Sequence, residues 1–166
     1  MGKDKDTVFN QVKNQTKIIT DTLNDEKISV WIRPETTGKG SQWGDLEEII
    51  NLSKEFEYVL PCVDFAHLHA RYNGLSNTYD EFCKIFEKIG TELKDKRPLE
   101  NFHAHLAGIA YGDKGEKHHL NLDESDMNYK DLLKAFKTFD VKGVIVCESP
   151  NIETDCKIMK EFYKSL

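Results

Sequence analysis

The segment Tyr58-Val-Leu-Pro-Cys-Val-Asp-Phe-Ala-His67 decides the fold, because it runs from an apolar stretch directly into two polar groups. A short apolar run of this kind is typical of a buried strand. The carboxylate of Asp64, where the run ends, can cap a following helix or bind a metal ion together with His67. The sequence on both sides indicates the kind of sheet to which this strand belongs.

The rest of the chain alternates between amphipathic segments and short apolar runs. Apolar residues at a helical period predict helices near residues 7–23, 45–55, 79–93, 129–139 and 153–163. Apolar or β-branched runs predict strands near residues 27–32, 58–63, 101–107 and 143–147. A polar loop with glycines at 108, 112 and 115 is predicted after the third strand. One helix between successive strands is typical of βα units, so we predict an α/β fold with a parallel sheet.

The length of the chain limits how far this sheet can extend. With 166 residues, the chain is predicted to form a single domain over residues 1–166. A closed (β/α)8 barrel takes about 250 residues. Four strand signals therefore predict either a small open sheet or about half of such a barrel.

The composition excludes several classes of protein. Hydrophobic residues make up 39% and charged residues 31% of the chain, which is typical of a globular and not a disordered protein. No apolar run reaches the roughly 20 residues that cross a bilayer, and no signal peptide is recognisable, so we expect a cytoplasmic protein without a membrane partner. The formal net charge of -6 argues against binding nucleic acid through bulk positive charge, unless carboxylates hold metal ions. The cysteines form no CxxC pair, which predicts reduced thiols.

Histidines and carboxylates gather where the predicted strands end. The histidines lie near the ends of the second and third strands, at His67, His69, His103, His105, His118 and His119. One carboxylate follows each of the four strands, at Glu35, Asp64, Glu116 and Glu148. Ligand sites of parallel α/β folds lie at the carboxyl ends of strands, and crowded carboxylates repel one another unless cations lie between them. Oxygen and imidazole ligands together favour zinc, manganese or iron over calcium.

Each of these residues also has a simpler interpretation. Taken alone, Glu35 or Glu116 is a solvated loop carboxylate. His103 and His105 share one face of a strand, because side chains alternate, and two imidazoles on an inward face are better explained as ligands than as core. The remaining pair, His69 and His119, is predicted to lie outside the ligand set.

Five segments together resemble the carboxyl-terminal half of the endonuclease IV family of apurinic/apyrimidinic endonucleases, within the xylose-isomerase-like TIM barrels. They are Glu35-Thr-Thr-Gly-Lys-Gly-Ser-Gln-Trp-Gly44, Asp64-Phe-Ala-His67, Phe102-His103, Glu116-Lys-His-His119 and Glu148-Ser-Pro150. The resemblance implies that the chain carries about four βα units of a (β/α)8 barrel. It also implies cleavage of DNA 5′ to abasic sites, in base-excision repair, by up to three zinc ions.

The resemblance also implies roles for individual residues. Glu35 would bridge two metal ions and, with Glu148, act at the catalytic centre, while Asp64 and His103 complete the ligands of one ion. His67, Glu116 and His118 would hold another ion, with a glutamate where the family has aspartate. A second register would make His105 the strand ligand in place of His103. The order of the segments without gaps favours His103.

Three functions therefore follow as hypotheses. The first is a zinc-dependent endonuclease, with manganese as the alternative metal, that acts on DNA with abasic sites as a hydrolase once an amino-terminal half completes it. At most two metal sites would be complete here, and the half-barrel would pair with a separate amino-terminal half or with a second copy. The second is a sugar isomerase or epimerase that uses one metal ion, and the third is an inactive barrel fragment.

Overall fold

The structure, a computed structural model, describes residues 4–166, in which helices alternate with parallel strands. The helices are α1 (Lys5–Asp25), α2 (Leu46–Glu55), α3 (Phe65–Arg71), α4 (Tyr79–Glu92), α5 (Tyr129–Thr138) and α6 (Glu153–Ser165). The strands are β1 (Cys62–Asp64), β2 (Phe102–Leu106), β3 (Gly108–Gly112), β4 (Gly115–Leu120) and β5 (Gly143–Cys147). The predicted α/β alternation is confirmed, and α3 is a short helix that the periodicity did not predict.

The main sheet is parallel, in the order β1-β2-β5. The register places Asp64 opposite His105 and Phe102 opposite Gly143. A further extended segment runs parallel to β1 and the residues that lead into it, with β-bridges from Ile32 to Val59 and from Glu35 to Cys62. In the described chain the strands form an open sheet and close no barrel, as expected for part of a TIM-barrel wall.

The first two predicted strands are shorter in the structure than the sequence suggested. The run at 27–32 and the run at 58–63 meet through separate bridges, and the continuous strand β1 begins later, at Cys62. The amides of Ile32 and Thr36 donate to the Tyr58 and Cys62 carbonyls, at 2.9 and 3.1 Å. Pro34 stands between them and has no N–H, so it can only accept a hydrogen bond, and the ladder is interrupted there.

The polar loop predicted after β2 is wrong, because residues 108–120 form the antiparallel hairpin β3-β4. Its second strand, Gly-Glu-Lys-His-His-Leu, is so polar that it lacks the apolar alternation from which strands are predicted. Backbone pairing with β3 and contact with α3 hold the hairpin beside the carboxyl ends of β1 and β2. The hairpin therefore brings the 116–119 segment to the edge at which the other strands end.

The two faces of the main sheet have different environments. On β2, Phe102, Ala104 and Leu106 are buried in the core formed with α2, α4, α5 and α6. His103 and His105 alternate with them and point to the opposite face, where they are partly exposed. Val144 and Val146 of β5 are also exposed, at 56% and 36%. The helices thus cover one face, and the uncovered face carries the predicted ligands. No helix in residues 4–166 is long and apolar enough to span a bilayer.

Gly143, at the start of β5, should tolerate no side chain. Its φ is +144°, and a Cβ there would overlap the backbone of Phe102 in the neighbouring strand. We expect Gly143→Ala to lower the free energy of unfolding by about 1–3 kcal/mol, measured by urea denaturation. Gly40→Ala is the control, because a Cβ at Gly40 has no neighbour within 4 Å among the described residues. Equal stability of the two variants would contradict this prediction.

Candidate metal centre

Four side chains from four successive βα units meet at the carboxyl edge of the sheet. They are Glu35, Asp64, His105 and Glu148, here called the carboxylate cluster, and each offers one ligand atom within 4.8 Å of the others. Nδ1 of His105 lies 3.2 Å from Oε1 of Glu35 and 3.3 Å from Oε1 of Glu148. Four groups at this separation can be reached by a single divalent cation.

The parallel register produces this convergence. Asp64 is the last residue of β1 and lies opposite His105 of β2. Glu148 directly follows β5, and its amide donates to the Leu106 carbonyl at 3.1 Å. Glu35 forms a bridge with Cys62 at the other side of β1. Each ligand candidate is thus held by sheet hydrogen bonds at its own backbone, which limits how far it can move from the others.

Asp64 is the most deeply buried member, with 1% of its side chain exposed. Its Oδ1 accepts the backbone N–H of His67 at 2.7 Å, which caps α3. The Thr36 hydroxyl accepts the Asp64 amide at 2.9 Å and fixes the backbone. Within residues 4–166, Oδ2 of Asp64 receives no hydrogen bond, although Nδ1 of His67 lies 3.4 Å away. Asp64 therefore caps the helix with one oxygen and presents the other to the cluster.

Burial without enough hydrogen bonds changes the protonation of this carboxylate. Desolvation raises the pKa of Asp64 to about 6, and the favourable charge of His67 offsets only part of this effect. A buried carboxylate oxygen that lacks a donor is costly, and a cation would remove that cost. The cluster thus fits a divalent metal ion by the chemistry of its ligands and by the orphaned Oδ2 atom.

A second group of potential ligands shares Asp64 with the carboxylate cluster. It consists of Asp64, His67 and His119, whose ligand atoms lie within 4.8 Å of one another, and we call it the histidine cluster. The imidazole rings of His67 and His119 stack, with centroids 5.5 Å apart. Nε2 of His67 lies 3.2 Å from Oε2 of Glu116, so this carboxylate borders the group. Two candidate sites therefore lie side by side at the strand ends.

Hydrogen bonding indicates which nitrogen of His67 can bind a metal ion. Nδ1 lies 2.9 Å from the carbonyl oxygen of Thr36, which can only accept, so Nδ1 carries the proton. Nε2, which lies 3.2 Å from Oε2 of Glu116, is then the nitrogen that can bind a metal ion once it has lost its proton. Burial acts to lower the pKa of His67, but Asp64, the Thr36 carbonyl and Glu116 outweigh it and raise the pKa. Without a metal ion, the imidazolium form is therefore stabilised.

The structure brings His119 into the cluster in place of the predicted His118. A bulge at Ala110/Tyr111 shifts the hairpin register, so that Tyr111 lies opposite Glu116 while Ile109 lies opposite His119. Opposed residues of antiparallel strands share a face, so Glu116 lies on the face of Tyr111 and His119 on the face of Ile109. Tyr111 and Ile109 are two residues apart in β3 and share one face, so Glu116 and His119 point to the same side. His118 is opposite Ala110 on the other side and is exposed. The resemblance to the endonuclease IV family had implied His118, as the histidine of the family's acidic-x-His pair, and the sequence gives no sign of the bulge.

The structure places His105, and not the preferred His103, beside the carboxylates of the cluster. His105 contacts Glu35 and Glu148, whereas His103 lies one two-residue step earlier on the same face, with its ring 5.4 Å from the His105 ring. The register of β1 and β2 sets His103 opposite Cys62 instead of Asp64. The alternative register, with His105 in place of His103, therefore describes the carboxylate cluster. His69, expected outside the ligand set, is fully buried, with Nε2 3.0 Å from Asp126.

The loop after Glu35 is held against the hairpin by backbone and side-chain contacts. The guanidinium of Arg71 donates to three carbonyl groups of this loop, those of Thr37, Lys39 and Gln42, at 2.7–3.2 Å. The amide of Glu116 donates to the Gly38 carbonyl at 2.9 Å. The loop therefore begins at Glu35 of the carboxylate cluster and contacts, through Gly38, the backbone of Glu116, which borders the histidine cluster.

Comparison with known proteins gives a family for this arrangement. The profile of the family described as xylose isomerase-like TIM barrel matches residues 1–166. The chain is 43% identical, over 166 residues, to the uncharacterized protein MJ0133 of Methanocaldococcus jannaschii, covering 100% of this chain and 60% of that protein. It is 26% identical over 140 residues to the probable endonuclease 4 of Mycoplasma pneumoniae, covering 81% of this chain and 47% of that protein.

The extent of these matches limits what they imply. The chain spans 60% of the first relative and 47% of the second, so both relatives contain a substantial further region. No solved structure gives a significant match. The match along the whole chain, the parallel βα units and the carboxylates and imidazoles gathered at the strand ends agree with one another, and the chain belongs to the xylose isomerase-like TIM barrel family.

Proposed function

We propose that the protein is a metal-dependent phosphodiesterase that hydrolyses DNA 5′ to abasic sites. The observation that carries this proposal is the sharing of Asp64 between the carboxylate and histidine clusters, with one of its buried oxygens lacking a hydrogen bond. Two adjacent sites with a shared carboxylate suit the spread-out charge of a phosphodiester better than one isolated site does. The similarity to the probable endonuclease 4 of Mycoplasma pneumoniae supports the same substrate class.

Each of the two clusters would hold one metal ion. Glu35, Asp64, His105 and Glu148 would hold one ion, and His67 and His119 with Asp64 would hold a second, bordered by Glu116. Bound zinc or manganese supplies Lewis acidity, activates water at neutral pH and neutralises the leaving oxygen. Since Glu35 and Glu148 are 37% and 31% exposed, they face the open side from which a substrate would enter.

The second candidate function is a sugar isomerase or epimerase with one metal ion. The observation that favours it is that the carboxylate cluster alone offers four ligands to a single cation. The net charge of -6 also suits a small neutral substrate better than DNA. The position of His67, His119 and Glu116 favours the nuclease, because one ion on the carboxylate cluster leaves these three groups without a function.

A partner that covers the face of the sheet left uncovered by the helices, here called the inner face, forms part of the same proposal. Val144 and Val146 are exposed on that face, and in the described chain no strand pairs with the far edge of β5. Open sheet edges and exposed apolar side chains favour association. The partner would be an amino-terminal half-barrel or a second copy of this chain. Light scattering on the purified chain tests this, and a well-folded, stable monomer that binds no added amino-terminal half would contradict it.

The central experiment measures metal content and cleavage together. The full chain is purified without chelators, its metal content is determined by mass spectrometry, and a duplex with one abasic site is incubated with it and Zn2+ or Mn2+. An intact duplex of the same sequence is the control, and the assay is repeated with an added amino-terminal half-barrel. Two or more equivalents of metal and cleavage at the abasic site support the nuclease. One equivalent without cleavage supports the isomerase, and neither metal nor cleavage supports an inactive fragment.

A pair of neighbouring histidines gives a matched test of the histidine cluster. His119→Gln should weaken binding of the second metal equivalent about tenfold or more, because it removes an imidazole ligand. His118→Gln is the control, since His118 is exposed on the opposite side of β4. Isothermal titration with Zn2+ measures both variants. A larger loss in His118→Gln would show that the bulge does not determine the ligand.

A further inference from the structure

A third group of potential ligands lies deeper on the uncovered face of the sheet, and two of its three members, Cys62 and His103, have no role in the proposed reaction. It consists of Cys62, His103 and His105, whose ligand atoms lie within 4.8 Å of one another, and we call it the thiol cluster. Cys62 is 2% exposed, and both histidines are partly buried. The free thiol is thus protected by the sheet and faces two imidazoles.

The position of this group follows from the strand register. Cys62 lies directly opposite His103, just as Asp64 lies opposite His105 two residues later. Two residues along a strand advance the chain by about 6.6 Å, so the thiol cluster lies one layer nearer to the amino ends of the strands than the carboxylate cluster. Because both layers belong to regular parallel strands, their ligands are presented at fixed spacing on one face.

The electrostatic surroundings of the thiol cluster favour a cation. Burial first, and then the nearby carboxylates of Glu35, Asp64 and Glu148, raise the pKa of the Cys62 thiol to about 12, so the thiol keeps its proton until a cation replaces it. One cation, the Arg33 guanidinium, opposes them, but it is held by the carbonyl and side-chain oxygens of Asn101 at 2.9 and 2.7 Å. The carboxylates on this face would therefore stabilise a divalent ion bound beside the sulfur.

We propose that Cys62, His103 and His105 form an accessory site for a borderline-soft divalent cation, zinc or cobalt, one layer away from the carboxylate cluster, with which it shares His105. One sulfur and two imidazole nitrogens supply three ligands of a tetrahedral site and leave a fourth position open on the exposed inner face. Binding replaces the proton of the Cys62 thiol, which is released to solvent, by a bond from sulfur to the metal. A thiolate ligand selects against magnesium, calcium and manganese, which prefer oxygen.

This site is coupled to the carboxylate cluster through His105, which belongs to both groups. An ion bound by Cys62 and His103 uses the same ring as an ion bound by Glu35 and Glu148. Occupation of one layer therefore competes with occupation of the other. The thiol cluster thereby gives the protein a means of discriminating zinc from manganese. Zinc can bind in the deeper layer, which contains the thiol, and manganese cannot.

The test is a titration of the full chain with Co2+, followed by absorption spectroscopy. A bond from thiolate to cobalt gives a charge-transfer band in the near ultraviolet, whereas oxygen and imidazole ligands alone do not. We expect this band in the native protein, its loss in Cys62→Ser, and its retention in Cys147→Ser. Cys147→Ser is the matched control, since that cysteine ends β5 and packs against the core. Circular dichroism checks that each variant is folded.

Two further variants make the result decisive. His103→Gln leaves the thiol in place and should raise, by about tenfold or more, the Co2+ concentration at which the band reaches half of its full intensity. This variant tests the site even if Cys62→Ser does not fold. Glu148→Gln should keep the band while lowering the metal affinity of the carboxylate cluster. The band therefore tests the thiol cluster even if the protein is not the proposed hydrolase. Absence of the band in the folded native protein, or its persistence in Cys62→Ser, would overturn the proposal.

Discussion

Replacing Asp64 with asparagine is expected to lower the affinity of the carboxylate cluster for Zn2+ or Mn2+ by about 100-fold or more. The substitution preserves shape, and its amide oxygen can still accept the His67 N–H that caps α3. It removes the negative charge and replaces the orphaned Oδ2 by an NH2 group, which cannot bind a cation. The loss should extend to the histidine cluster, because Asp64 is common to both.

Titration calorimetry of the native chain and the variant measures this effect. Asp113→Asn is the matched control, since that aspartate is exposed in the turn between β3 and β4. Its metal affinity should remain within a factor of about two of the native value, because surface substitutions of this kind change little. If Asp64→Asn binds metal as tightly as the control, Asp64 is not a ligand, and the proposed division of ligands between two sites is wrong.

The same substitution should have the opposite effect on the stability of the protein without metal. At pH 7 the metal-free variant is expected to be more stable than the native chain by about 2–3 kcal/mol. The reason is that burial raises the pKa of Asp64 to about 6 from its ordinary 3.8, so the folded protein must bear a poorly solvated charge at neutral pH. Asparagine fills the same space without that charge.

The pH dependence of this difference identifies its cause. A carboxyl whose pKa is higher in the folded state binds more protons folded than unfolded between the two pKa values, so its contribution to stability falls as pH rises. For Asp64 this window runs from about pH 4 to about pH 6. The stability advantage of Asp64→Asn should thus be small near pH 4, grow to pH 6 and remain constant above. Contributions from groups that do not interact with Asp64 cancel, since both proteins share them, whereas the pKa of His67, which Asp64 raises, should fall in the variant.

Urea denaturation of the two proteins in a chelator, at several values of pH, measures this difference. A variant that is less stable than the native chain at pH 7, or a difference independent of pH, would show that the buried carboxylate is satisfied without metal. Added Zn2+ should reverse the order, because the ion stabilises the native chain in proportion to its affinity. A gain of stability without metal together with a loss of affinity is typical of a residue kept for binding.

The fold follows largely from local patterns, and so does the general location of the site. Apolar runs separated by amphipathic segments predict parallel βα units, and the helices over α2, α4, α5 and α6 lie close to their predicted bounds. The alternation along β2 separates His103 and His105 from the buried Phe102 and Ala104. Polar residues directly after apolar runs indicate where a parallel sheet gathers its ligands.

The sequence by itself determined that carboxylates and imidazoles would gather at one edge of a parallel sheet, because strand order and the alternation of side chains are local properties. Only the tertiary structure decided which members meet. The register of β1 on β2 sets His105, not His103, beside Asp64, and the bulge in the hairpin turns His119, not His118, toward His67. Both outcomes depend on pairing between segments distant in the chain, and a shift of one residue reverses the face to which every side chain points.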